Sequence, residues 1–221
     1  MATIEQVQPQ RLYRYRSLDK FARELEAIQQ NYVFCAAYTT LNDPMEGVFR
    51  SSKVFRGSDN YRDTRSAIVD NKTQIGMCSF SEVHDHELMW AHYADQYRGI
   101  CIGYSFSKLL DHLDDDVSFV RMYYNEAVPI IRHSRQEPAD AAKMVLSYKN
   151  YRWLYEREWR MFSRQGRVEY RTKSCVTHVY LGSRIDPDKR AQMIRALKLL
   201  KIPTDDMKID KYSITFERAT L

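Results

Sequence analysis

Trp153-Leu154-Tyr155-Glu156-Arg157-Glu158-Trp159-Arg160-Met161-Phe162-Ser163 can be read in two ways, and the choice shapes the whole chain. As a helix, Glu156 and Arg160 stand four apart as a surface ion pair, with Glu158 on another face. As a strand from about Arg157, Glu156, Glu158 and Arg160 project from one side, and Arg157, Trp159 and Met161 from the other. The strand is preferred, because two carboxylates and an arginine then line one side of a cleft. Acids flanked by Trp153, Tyr155 and Trp159 lie near low-dielectric surface, which calls for a partner or a purpose. If Arg160 is that partner, the cluster is a structural network.

Outward from this segment, Gly99 to Phe106 (Gly-Ile-Cys-Ile-Gly-Tyr-Ser-Phe) is the clearest buried strand. Leu12 to Arg16, Tyr32 to Tyr38, Gly76 to Ser81, Val117 to Tyr124, Thr177 to Leu181 and Lys208 to Phe216 read as further strands. Helices are expected from a Ser17 cap through Leu18, Phe21, Leu25 and Ile28, and over 86–94, 138–151 and 187–200. A polar stretch over 51–72 reads as loop plus helix. Between Tyr38 and the next element, Asn42-Asp43-Pro44 and Gly47 supply strong turn chemistry. Seven or eight strands with scattered helices lack the strict alternation of a doubly wound sheet. The expectation is a single α+β domain over residues 1–221, with mixed or antiparallel sheets and surrounding helices.

Composition narrows the class. Tyrosine is in excess, 16 residues beside 9 Phe and 3 Trp, so many half-polar rings must find partners or water. Cys35, Cys78, Cys101 and Cys175 sit in apolar runs without a C-x-x-C pair, as buried thiols of a reducing compartment do. No run is apolar enough to span a membrane, and residues 1–5 carry no signal-peptide pattern, so a cytoplasmic protein is expected. The net charge of +5 divides into −3 over residues 1–125 (14 basic, 17 acidic) and +8 over 126–221 (20 basic, 12 acidic). The basic half, with Arg184, Lys189, Arg190 and Arg195, either attracts phosphate-bearing partners or forms a solvated face.

Several motifs carry two readings each. Arg14 and Arg16 are ligand contacts or structural ion pairs. Ser79 and Ser81, two apart on one strand, face a ligand or bond nearby backbone. Asn42-Asp43-Pro44 reads as a structural turn rather than a ligand contact, and Glu46 after it has no turn role and is either surface or site. Trp90 and Tyr93 form a stacking platform or core, and His92 is a buried hydrogen-bonding histidine or a ligand contact. His84, His86 and His92 make an H-x-H-x5-H run, but no fourth ligand stands at zinc spacing, so no metal is expected.

In order and spacing, six stretches resemble the bacterial family called domain of unknown function 2971. They are Leu12-Tyr13-Arg14-Tyr15, Leu41-Asn42-Asp43-Pro44-Met45-Glu46, Cys78-Ser79-Phe80-Ser81-Glu82, Met89-Trp90-Ala91-His92-Tyr93-Ala94, Gly99-Ile100-Cys101-Ile102-Gly103-Tyr104 and Tyr155-Glu156-Arg157-Glu158-Trp159-Arg160. The order of Arg14, Ser79 or Ser81, then Glu156 or Glu158 also resembles the ADP-ribosyltransferase superfamily, although a clear Ser-Thr-Ser is missing. That likeness implies an enzyme acting on NAD, of the toxin or phage-defence effector kind, transferring ADP-ribose to a nucleic acid or protein. It implies Glu156 or Glu158 as the acid that stabilises the ribose cation. Arg14, Arg16, Ser79, Ser81, Trp90, His92, Tyr93 and Arg160 would then hold the nucleotide. A nucleic-acid-binding or nucleolytic component and a non-catalytic nucleotide sensor are the rival expectations.

Overall fold

A computed structural model describes residues 8–221. The absent leader expected from residues 1–5 falls outside them. The chain begins with β1 (Arg11–Arg16), α1 (Phe21–Gln29), β2 (Tyr32–Ala37), β3 (Arg50–Ser51), α2 (Lys53–Arg56), α3 (Tyr61–Gln74) and β4 (Ile75–Ser81). It continues with α4 (Glu87–Tyr93), β5 (Ile100–Ser105), α5 (Phe106–His112), β6 (Ser118–Arg121), β7 (Tyr123–Asn125), β8 (Ile130–Ile131) and α6 (Pro138–Val145). The remainder is β9 (Tyr148–Asn150), β10 (Glu158–Arg164), β11 (Gly166–Glu169), β12 (Val176–Leu181), α7 (Pro187–Leu199), β13 (Thr204–Asp210) and β14 (Ser213–Arg218). The protein is α+β, with mixed strand pairing and helices around it. Contacts gather into two compact units: residues up to 32 with 80–113 and 169–221, and residues 33–79 with 114–168.

In the first unit the strands run β1–β5–β12–β13–β14, antiparallel except for β12 beside β13. β5 is buried from Ile100 through Tyr104, which accounts for its unbroken apolar run. Gly103 lies opposite Tyr13, and a Cβ there would stand 3.3 Å from the Tyr13 ring, so glycine gives that ring its place. α7 starts as the sequence predicts, with Pro187 in the first turn and Asp186 accepting from the Asp188 and Lys189 amides.

In the second unit the order is β11–β2–β4–β10–β6, with β3–β8 and β7–β9 as separate parallel pairs. α3 and α6 pack Ile68, Ala141, Ala142 and Val145 with Phe55 and Ile131 into one core. Met77, Leu146 and Phe162 form a second.

Element ends differ from expectation in instructive ways. Ser17 does not cap α1; its hydroxyl bonds Asp19, and the helix begins at Phe21 after Lys20. The helix expected over 138–151 stops at Val145, and Tyr148–Asn150 becomes a strand because it pairs in parallel with Tyr123–Asn125. Phe106 opens a helix instead of ending the strand. The closing strand is a hairpin, β13 and β14, turning near Lys211 at φ 54°. More strands are described than the seven or eight expected, several of only two or three residues.

Candidate functional site

The deciding segment divides at Arg157. Tyr151–Glu156 winds as a 3₁₀ helix, started by Asn150, whose side chain accepts from the Arg152 amide. Arg157 then takes a left-handed conformation, φ 44° and ψ 49°, which reverses the chain into β10. The strand thus begins at Glu158, and Glu158 and Arg160 share a face as expected. Glu156 does not lie on it; as the last residue of the 3₁₀ helix it reaches the same charges from another element.

Those charges form a buried network within the second unit. Arg160, fully buried, grips Glu158 Oε1 through Nε at 2.9 Å and Nη2 at 2.7 Å. Nη2 also stands 2.8 Å from Glu46 Oε2, and Nη1 donates to the Leu146 carbonyl at 2.7 Å. Lys149 Nζ lies 2.6 Å from Glu156, and 3.3 Å from both Glu158 and Glu46. It also sits 5.0 Å above the Trp153 ring. The Glu158 amide donates to the Tyr124 hydroxyl at 2.7 Å. Burial alone would raise the Glu158 pKa, but Arg160 and Lys149 overcome it and hold the carboxyl at about 2, helped by a hydrogen bond from Ser79. Burial would also lower the Arg160 pKa, yet Glu158 and Glu46 push it up, so the guanidinium stays charged.

Ser79, on β4, is exposed while the Glu158 it bonds is not. Its hydroxyl donates to that carboxylate from a neighbouring strand. A hollow of about 130 Å³ borders this network through Glu46 and Lys149 and is also lined by Asp43, Gly47, Tyr148 and Asn150, among others. Gly47, at φ +73°, closes the Leu41–Glu46 turn and lets Glu46 turn inward. Asp43 Oδ1 accepts from the Met45 amide at 2.9 Å, which is the turn role the sequence suggests.

The other expected site residues lie in the first unit. Arg16 is bound bidentately to Glu24, at 2.7 and 2.6 Å, a structural pair. Ser81 is buried and its hydroxyl accepts from the Val83 amide. Trp90 is core, with Nε1 donating to the His84 carbonyl and its ring edge-on to Tyr15. His92 is exposed and Tyr93 half-buried, their rings 6.4 Å apart. Arg14, on β1, is half-buried. Of the basic residues in the C-terminal half, Arg190 is tied to Asp206 and Lys189 donates to the Leu18 carbonyl, so part of that charge is neutralised in place.

The sequence reading missed Lys149, the central cation, because it sat inside an expected helix. Glu46 stood out only as an acid without a turn role. The short aromatic–polar run Tyr148-Lys149-Asn150 was the available sign of a strand. Among the described residues no group of three or more His, Cys, Asp or Glu is placed to hold a metal ion, and no helix is long and apolar enough to cross a membrane.

Neither the comparison with curated proteins nor that with solved structures gives a match. Residues 89–161, which contain α4, β5, Lys149 and the Glu156–Arg160 segment, match the family model described as Protein of unknown function (DUF2971). Over that segment, about a third of its length, the chain is similar to the DUF2971 family.

Proposed function

We propose that the second unit holds a nucleotide site of the ADP-ribosyltransferase type, with NAD as substrate and Glu158 as the carboxylate presented to its ribose. The observation that carries this reading is an exposed serine, Ser79, whose hydroxyl is bonded to a buried glutamate that stays ionised throughout the physiological range. Breaking the nicotinamide–ribose bond builds positive charge on the sugar, and a fixed carboxylate stabilises that charge more than it stabilises the ground state. Arg160 and Lys149 supply the fixing: they hold the Glu158 oxygens in place and prevent its protonation. A ribose hydroxyl that takes over the Ser79 hydrogen bond meets the same acceptor. Two of the group types named by the superfamily resemblance, a serine and a glutamate from distant strands, are therefore in contact, and Arg160 adds a guanidinium. Arg16 is committed to Glu24, so no pyrophosphate role is carried over to it. Four buried free thiols fit a cytoplasmic setting.

A second reading, a sensor that binds the nucleotide without splitting it, is favoured by one fact: Arg160, Lys149 and Ser79 already occupy both Glu158 oxygens. Calorimetric titration with NAD, paired with chromatographic assay of released nicotinamide, separates the two. The transferase predicts binding and release, and loss of release in Glu158→Gln. Binding without release supports the sensor. Absence of binding by NAD and by ADP-ribose removes both.

A further inference from the structure

Asp43 lines the hollow of the second unit and is only 5% exposed. Its Oδ1 is spent on the Met45 amide, but its Oδ2 is buried without a hydrogen-bond partner. A buried carboxylate oxygen left in that state is costly, and the cost disappears when a donor or cation sits against it. The surroundings favour a cation. Asp43, Glu46 and Glu126 line the hollow, and Glu156 and Glu158 join Glu46 through Lys149. Against these five acids stand Lys149, Arg160 and Lys72, which donates to the Gly47 carbonyl, leaving a surplus of two negative charges. Lys149 offers the ligand little repulsion, because three carboxylates already surround its ammonium.

The walls set the shape of the ligand. Met45 and Val48 are exposed, and with Val128, Pro129 and Tyr148 they make an apolar border around the acids. At about 130 Å³ the hollow is well below the roughly 300–1,000 Å³ of sites for drug-sized molecules. It takes one charged head group and part of its stem. A bare metal ion fits poorly, since no group of metal-ligating residues is formed there. We propose that this hollow binds an alkylguanidinium or alkylammonium group, its head on Asp43 Oδ2 and its stem along Met45, Val48 and Tyr148. The head chemistry is shared by a free polyamine and by an arginine or lysine side chain. The site does not depend on the NAD reading, and its test leaves Ser79 and Glu158 untouched.

The experiment titrates the full chain by calorimetry with putrescine, with Nα-acetylarginine amide, and with the neutral control n-butanol. Saturable binding of either cation, none of butanol, and a loss of about tenfold or more in Asp43→Asn is the expected result. Asparagine can still accept from the Met45 amide, so the turn should persist. Which cation binds more tightly distinguishes free amine from side chain. A second readout on the unaltered protein guards against misfolding of the variant: the amide resonances of Met45 and Gly47 should shift on titration. Failure of both cations to bind, equal binding by Asp43→Asn, or shifts confined to residues elsewhere would overturn the proposal.

Discussion

Arg160→Met tests the network where it is densest. The substitution keeps most of the side-chain volume and removes the charge. Glu158 loses its two-pronged partner, Glu46 loses a contact at 2.8 Å, and the Leu146 carbonyl loses its donor. Removing one partner of a buried ion pair typically costs about 3–5 kcal/mol, because the remaining charge is stranded. Lys149 can absorb some of this by moving toward Glu158, so the lower part of that range, about 3–4 kcal/mol, is expected. For a chain of this length that corresponds to a fall in Tm of roughly 6–16 °C. Urea unfolding followed by tryptophan fluorescence suits the assay, since Trp153 and Trp159 lie within the second unit. Arg160→Lys should recover only part of the loss, because an ammonium lacks the forked guanidinium that reaches Glu158, Glu46 and the Leu146 carbonyl together. A loss under about 1 kcal/mol with an unchanged urea slope would show that the network is not the keystone described above.

Acid should weaken the protein through the same residue. The folded Glu158 pKa, about 2, lies below the ordinary 4.5, so its contribution is complete above pH 4.5 and is lost as pH falls toward 2. Urea midpoints at pH 6 and pH 3 should differ less in Glu158→Gln than in the unaltered chain; equal differences would refute the assignment. Burial raises the Cys101 thiol pKa well above its usual value and that of Cys175 to about 11, and all four cysteines are buried. A thiol reagent at pH 8 should therefore react slowly with the native chain and rapidly with four thiols after unfolding; fast native reaction would contradict the packing.

How much of this could be read from residues alone depends on how local the signal is. The apolar run of β5 and the Pro187 start of α7 are local signals, and both elements stand where expected. The strand expected from about Arg157 is present from Glu158, with Glu158 and Arg160 on one common buried face. Glu156 was misplaced since a left-handed residue at Arg157 is not announced by its side chain. Tyr148–Asn150 reads as helix in the sequence because its strand character comes from pairing with Tyr123–Asn125, a tertiary effect. The site shows the same divide. Glu158, Arg160 and Ser79 were singled out by pattern, whereas Lys149 and Glu46 acquire their importance only from the fold that surrounds them with opposite charge.

The central claim is that Ser79 marks the approach to an ionised Glu158, and Ser79→Phe tests it most directly. Ser79 is exposed, so a ring there finds room outside the core; losing the hydrogen bond to Glu158 should cost about 1.5–3 kcal/mol and leave the chain folded while covering the carboxylate. Calorimetric titration of NAD into the unaltered and Ser79→Phe chains should show binding in the first and its loss in the second. Unchanged NAD affinity in a folded Ser79→Phe protein would contradict the account.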